Sequence, residues 1–281
     1  MQARTLRVVL VAGAVVLAIA LWLAPSQVNK KKSEGPSVAV KTEKAAGFDP
    51  DALLKSAESA LNEEQKSNLD FLNNALKKNG DRDTATLDQL GRLWDRVNIP
   101  AAAAIWFERK AAVLETERSY LDAAYRYFDG FKAATDSNLK KLLVEKAITN
   151  YSKVLEINPD NLNAKTDLGT CYVEGTSEPM KGVLMLREVV QKDPDHEMAQ
   201  YNLGMLSVKS GQLDKAIERF RTVLKINPQR SEVHFFLGQV YEQQGKKKEA
   251  LDEYRLFMKE SKDYEAVAQV GEMVKTMEAA H

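Results

Sequence analysis

The chain has 281 residues with 40 Lys+Arg against 40 Asp+Glu, a formal net charge of zero. Its 14 Gly and 8 Pro are too few for a sandwich or barrel of short strands, which needs a turn about every 8–12 residues. A hydrophobic fraction of 44% excludes global disorder, the single cysteine (Cys171) excludes a disulfide scaffold and a thiolate zinc site, and three histidines argue against a multi-His metal centre, so neither metal nor cofactor is expected.

Charge is unevenly placed. Residues 1–47 carry seven Lys/Arg (Arg4, Arg7, Lys30, Lys31, Lys32, Lys41, Lys44) against Glu34 and Glu43, which leaves 33 bases and 38 acids over 48–281. An acidic main body is a poor ligand for a phosphate backbone, so no nucleic-acid partner is expected. Residues 8–24 form an uncharged apolar run of 17 residues. As a helix the run spans about 26 Å, near the lower limit for a bilayer core. Arg7 can snorkel at one end, and Trp22 suits the interface at the other. Residues 1–24 therefore read as a transmembrane signal-anchor, with the lipid bilayer as a partner. A cleaved signal peptide is the competing reading; the length of the run counts against it, and the only small-x-small triplet after it is Ala24, Pro25 and Ser26. Basic residues flank both ends, so the positive-inside rule barely discriminates. The short basic start resembles a bacterial signal-anchor, which implies a single-pass inner-membrane protein with its C-terminal domain in the periplasm; a cytosol-facing domain with the opposite topology is the alternative.

Residues 25–47 mix Pro, Gly, Ser and Lys without apolar periodicity and read as a flexible linker. Residues 48–83 read as a helical segment or a degenerate repeat, opened by Asp49 as cap with Pro50 in the first turn and ending near Gly80.

Self-similarity dominates the remainder. Residues 146–159 and 215–228 align without gaps over 14 positions. Leu-Gly pairs recur at Leu168-Gly169, Leu203-Gly204 and Leu237-Gly238, with Pro159, Pro194 and Pro228 at the same spacings of 35 and 34. An upstream copy appears at Leu90-Gly91 with Trp94, Ala103 and Phe107. Small residues (Gly204, Ala216) predict close approach of two helices within a unit, and Phe220 and Tyr241 are expected to fill the space between units. The prolines stop each second helix. This pattern, fullest in Ala199, Tyr201, Asn202, Leu203, Gly204, Gly211, Ala216, Phe220 and Pro228, resembles the tetratricopeptide repeat. The resemblance implies an all-α, right-handed α-solenoid over 84–262, with units at 84–117, 118–161, 162–196, 197–230 and 231–262. Residues 263–281 are expected to form a capping helix whose apolar face is Tyr264, Val267, Val270, Val274 and Met277. In the 162–196 unit an extra residue is expected in the inter-helix turn, and Gly182 replaces the usual alanine. In the 118–161 unit Ala124 to Ala147 is 23 residues where 12 are expected, an excess of 11 that predicts an extended hairpin carrying Phe128, Phe131, Leu139, Leu142 and Leu143; packing against the neighbouring unit and a partner-binding knob are the two explanations.

No phosphate loop, nucleophile elbow or His-Glu metal helix appears, so no enzymatic activity is expected. Cys171 reads as a buried hydrophobe and His234 as a packed histidine; His196 lies at a unit junction. The resemblance implies a concave groove lined by the first helices, with Thr166, Thr170, Met198, Tyr201, Met205, Phe235, Gln239 and Glu242 as its contact residues. Chaperone-tail receptors of the family place Lys and Asn at two of these positions, and Thr166 with Thr170, or Tyr201 with Met205, does not match. Met198, Tyr201, Met205 and Phe235 instead make an apolar strip suited to a peptide or amphipathic helix of a partner protein. The alternative is packing within the superhelix or against another copy. The expected function is a membrane-tethered scaffold for assembling an envelope or membrane complex; a self-associating homo-oligomeric module and an accessory subunit of a membrane enzyme or export complex are the alternatives.

Overall fold

The computed structural model describes residues 49–279; the apolar run and the linker lie outside the described residues. These residues form thirteen α-helices and no strand: α1 (Pro50–Ala57), α2 (Glu63–Asn79), α3 (Thr84–Val97), α4 (Pro100–Leu114), α5 (Glu117–Ala133), α6 (Ser137–Ile157), α7 (Leu162–Gly175), α8 (Pro179–Lys192), α9 (Glu197–Lys209), α10 (Leu213–Ile226), α11 (Ser231–Gln243), α12 (Lys247–Glu260) and α13 (Tyr264–Ala279). Among the described residues no helix is long and apolar enough to cross a membrane.

Local chemistry explains where the helices start and stop. Asp49 caps α1, accepting from the Asp51 and Ala52 N–H groups at 3.0 and 3.1 Å, and Pro50 takes the first helical position. Asn62 and Gln65 form a reciprocal capping box at α2, each bond 2.9 Å long. Pro159, Pro194 and Pro228 follow α6, α8 and α10 by two residues, and the residue before each proline is steered out of the helical region. Those intervening residues make the same turn three times: Asn158, Asp193 and Asn227 accept from the N–H two residues on, at 3.2, 3.1 and 3.2 Å. Gly211 and Gly245, at φ 71° and 73°, supply the left-handed residue in the α9–α10 and α11–α12 connections.

The described residues divide into two compact units, 49–202 and 203–279, with the division inside α9. In the N-terminal unit, Leu69, Leu72 and Leu76 of α2 join Leu87, Leu90 and Trp94 of α3 and Phe107 of α4 in one core. A second core joins Tyr127 of α5, Val144 and Tyr151 of α6, and Leu168 and Cys171 of α7. Helices α5 and α6 run 17 and 21 residues, against 14 each in α7 and α8. The added length is packed: Phe128 and Leu143 are buried, Phe131 and Leu139 lie against them, Leu142 is half-buried, and Phe128 stacks on Phe131 at 5.8 Å. Glu108 of α4 ties the hairpins together, accepting from Tyr127 Oη at 2.7 Å and Lys146 Nζ at 3.0 Å.

The 162–196 hairpin corrects one expectation. Its connection is three residues long, as in the later hairpins, and the extra residue extends α7 to 14 residues against 13 in α9 and α11. The helix absorbs it because one more hydrogen-bonded residue costs less than a longer loop. The register of α8 shifts accordingly, and Leu186 rather than an aromatic ring faces Gly169. A smaller side chain lets the backbones close until a methyl group at Gly182 would lie 2.1 Å from the Gly169 carbonyl oxygen.

In the C-terminal unit Phe220 lies over Gly204 of its own hairpin, where an added methyl would meet the ring at 2.7 Å, and it also stacks on Phe236 of α11 at 5.9 Å. It therefore fills space inside its hairpin as well as towards the next helix. Tyr254 covers Gly238 in the same manner. Helix α13 buries Ala266, Val270 and Val274, while Tyr264 is 87% exposed. Tyr264 does not belong to the capping face: six residues before Val270, it sits about 120° round the helix from it.

Candidate functional site

The eight groove residues divide between the two units: Thr166, Thr170, Met198 and Tyr201 in the first, Met205, Phe235, Gln239 and Glu242 in the second. In the N-terminal unit Thr166 is 1% exposed and cannot meet a partner. Its hydroxyl donates to the Leu162 carbonyl at 2.8 Å, so a short, internally satisfied side chain is simply covered. Thr170 is half-buried, donates to the Thr166 carbonyl and accepts from Asn202 Nδ2 at 2.9 Å, which ties α9 to α7. Beside that tie, Met198 is 43% exposed and Tyr201 half-buried, three residues apart on one face of α9.

In the C-terminal unit Phe235 is 1% exposed, contrary to its expected contact role. Its ring packs against Phe236, Tyr254 and Phe257, with centroids 5.7, 5.9 and 5.6 Å away. Helix α11 is apolar on several sides (Val233, Phe235, Leu237, Val240), and burying the Phe235 ring against α12 removes a large apolar surface from water. Met205, Gln239 and Glu242 are half-buried. Glu242 accepts from Tyr254 Oη at 2.8 Å, so its carboxylate is partly committed to the hairpin.

Asp167 was not singled out from sequence. It occupies the position of Asn202 in the following repeat, one residue after buried Thr166. Burial raises its carboxyl to about 6, with Lys132 acting in the opposite sense. Desolvation also raises Asp129 on α5, but its side chain is 64% exposed and water screens the effect. The N-terminal unit therefore holds one carboxyl group, Asp167, that resists ionisation beside half-exposed Tyr125. Cys171 is fully buried, and burial pushes its thiol up. His234 is paired rather than merely packed: Nδ1 lies 2.6 Å from Glu253 Oε2. His196 caps α9, its Nδ1 accepting from the Ala199 N–H at 3.3 Å. Among the described residues no group of three or more His, Cys, Asp or Glu is placed to hold a metal ion. A 630 Å³ cavity in the C-terminal unit is bounded by Arg221, Lys225 and Lys246 with Asp214, Glu218 and Glu249, a balanced set that includes none of the groove residues.

Residues 201–264 match the family model described as Tetratricopeptide repeat. Among solved structures the chain is similar to MamA (41-end) from Desulfovibrio magneticus RS-1, at 19% identity over 64% of this chain and 95% of that one, with a TM-score of 0.50. Another MamA structure gives 19% identity, coverage of 63% and 91%, and a TM-score of 0.49. YrrB, described as a TPR protein with an unusual peptide-binding site, gives 18%, coverage of 72% and 97%, and 0.46. Identities this low speak to the fold alone. No curated protein sequence matches the chain.

Proposed function

We infer that this chain, which carries the tetratricopeptide repeat over residues 201–264, is a protein-interaction scaffold that holds a peptide or amphipathic helix of a partner protein. The observation that carries this reading is the face of α9 in the N-terminal unit, where exposed Met198 and half-buried Tyr201 stand beside the Asn202–Thr170 bond. A flexible thioether next to an aromatic ring adapts to apolar side chains of varied shape, and the polar tie holds the backbone that presents them. Thr170, Gln239 and Glu242 add polar contacts within their own units. Thr166 and Phe235 serve the core.

The second part of the proposal is a tether. The apolar run at 8–24 anchors the chain in a bacterial inner membrane, with the repeats in the periplasm and the 25–47 linker between them. Anchoring raises the local concentration of the binding face near membrane partners without adding contact energy, a property suited to assembling an envelope or membrane complex.

The test replaces Met198 with a photo-crosslinking residue in the full-length chain in its membrane, with exposed Lys248 of α12 as control. A different protein captured at position 198 and absent from position 248 is the expected result. Capture of a second copy would make the chain a self-associating module, and no specific product at 198 would refute the site. Protease treatment of intact cells and of spheroplasts checks the topology: the repeats are degraded only once the outer barrier is opened.

A further inference from the structure

We propose that the partner segment held by the N-terminal unit presents a lysine or arginine beside its apolar residues, and that Asp167 and Tyr125 receive that cation. The proposal rests on the groove reading of the α9 face and names the chemistry of what the groove holds.

The carboxylates on α3, α5 and α7 fall into two sets. Towards α3 each is tied to a cation: Asp88 to Lys110 at 2.6 Å, Asp95 to Arg126 at 2.7 Å and Asp122 to Arg118 at 3.3 Å. Towards α7 the pairing lapses. Asp167 and exposed Glu174, two turns apart on α7, make no ion pair among the described residues, and exposed Asp129 of α5 has only a 4.0 Å contact with Lys132. Lys132 is the cation that acts on Asp167, yet its ammonium is held over the Phe128 ring, 4.2 Å from the centroid. Three carboxylates therefore stand against one lysine. Asp167 is also half-buried and short of water, and an incoming ammonium or guanidinium supplies the counter-charge that its surroundings lack.

The aromatic and apolar parts of the site lie on either side of α7. Tyr125 of α5 stands beside Asp167, meets the Tyr151 ring edge-on at 5.8 Å and stays 41% exposed. An exposed phenol ring carries a cation on its face. On the other side, the 2.9 Å bond from Asn202 to Thr170 holds α9, with Met198 and Tyr201, against α7. Thr170 is one turn from Asp167, about 5 Å along the helix. An apolar side chain on Met198 and a basic one on Asp167 thus belong to neighbouring residues of one bound segment. A segment acidic at that point would meet Asp129, Asp167 and Glu174 and be repelled.

The test places the full chain in nanodiscs of uncharged phosphatidylcholine, so that basic peptides are not drawn to the lipid, and probes it with a displayed library of random dodecapeptides. Enriched peptides are expected to carry lysine or arginine within a residue or two of an apolar side chain, and to lose binding on Met198→Ala. The strongest is remade with norleucine in place of its basic residue and titrated by fluorescence anisotropy. That change should weaken binding about tenfold or more on the parent and about twofold or less on Asp167→Asn, the difference a charge-assisted hydrogen bond makes. Circular dichroism of Asp167→Asn should match the parent, so a lost preference is not a lost fold. Lys132→Gln removes the competing cation and should tighten the basic peptide about twofold. Two results would overturn the cation site while leaving the groove reading in place: enriched peptides that need Met198 but carry no basic residue, or a norleucine penalty equal on the parent and on Asp167→Asn. No enrichment, or enrichment indifferent to Met198→Ala, would refute the groove reading and this proposal with it.

Discussion

Replacing Gly182 by alanine tests the contact on which the 162–192 hairpin rests. The added methyl would lie 2.1 Å from the Gly169 carbonyl oxygen and 2.8 Å from Val173 Cγ2. A comfortable carbon–oxygen contact is about 3.3 Å, so α7 and α8 must part by roughly 1 Å in an interior packed like a solid. Overpacking of this kind costs about 1–3 kcal/mol, and a clash with backbone belongs at the upper end. Alanine returns about 1 kcal/mol through helix propensity, leaving a net loss of about 2 kcal/mol. For a unit of this size the melting temperature should fall by about 4–8 °C. The reference is Gly271→Ala in α13, where the methyl meets only Met258 Sδ at 3.6 Å, an ordinary contact. The same change in the unfolded chain accompanies both substitutions, so the difference between them isolates the folded state. Thermal unfolding followed by circular dichroism at 222 nm should show Gly182→Ala lowering a transition and Gly271→Ala raising one by about 0.5–1 kcal/mol. A Gly182→Ala protein as stable as the parent would refute the backbone contact and the register derived from it.

Phe235→Ala should destabilise the C-terminal unit by about 3–5 kcal/mol through the cavity it leaves, seen as a lower denaturant midpoint. A surface contact residue would instead lose binding while leaving the midpoint unchanged. Asp167 gives a pH signature. Its folded carboxyl titrates at about 6 against an ordinary 3.8, so its favourable contribution is complete below pH 4 and disappears as pH rises through 6. The penalty reaches about 2–3 kcal/mol at pH 8. Asp167→Asn should therefore match the parent at pH 4 and exceed its stability at pH 8 in urea titrations. Equal stability of the two proteins at pH 8 would show that Asp167 is well solvated. Arg126→Lys should cost about 1–2 kcal/mol. A lysine can neither grip Asp95 through two nitrogens, at 3.0 and 2.7 Å, nor stack over the Phe107 ring, 3.8 Å from the guanidinium carbon.

What the chain declares on its own is local and periodic. The Asn-Pro and Asp-Pro pairs end three helices because both the turn chemistry and the restriction before proline act within four residues. Asp49 before Pro50 opens α1 for an equally short-range reason. The Leu-Gly repeat marks where helices meet, since only a missing Cβ lets Phe220 and Tyr254 lie on the facing helix. What tertiary structure alone decided concerns direction and depth. Repeat position puts Phe235 on a first helix, but whether its ring faces a partner or Phe257 depends on the competing apolar surface of α11 and α12. Thr166 and Thr170 are chemically alike one turn apart, yet one is sealed and the other half-open, because burial is set by neighbours distant in sequence. The extra residue before Pro179 entered α7 rather than the turn, and the outcome depended on Gly169 and Gly182 meeting across the hairpin. Asp167 looks like any surface carboxylate in sequence and becomes a reluctant acid only when the neighbouring helices remove its water. Hydrogen bonds and backbone restrictions reach a few residues and can be read along the chain; desolvation and packing sum over everything within a few ångströms and exist only once the helices are in place.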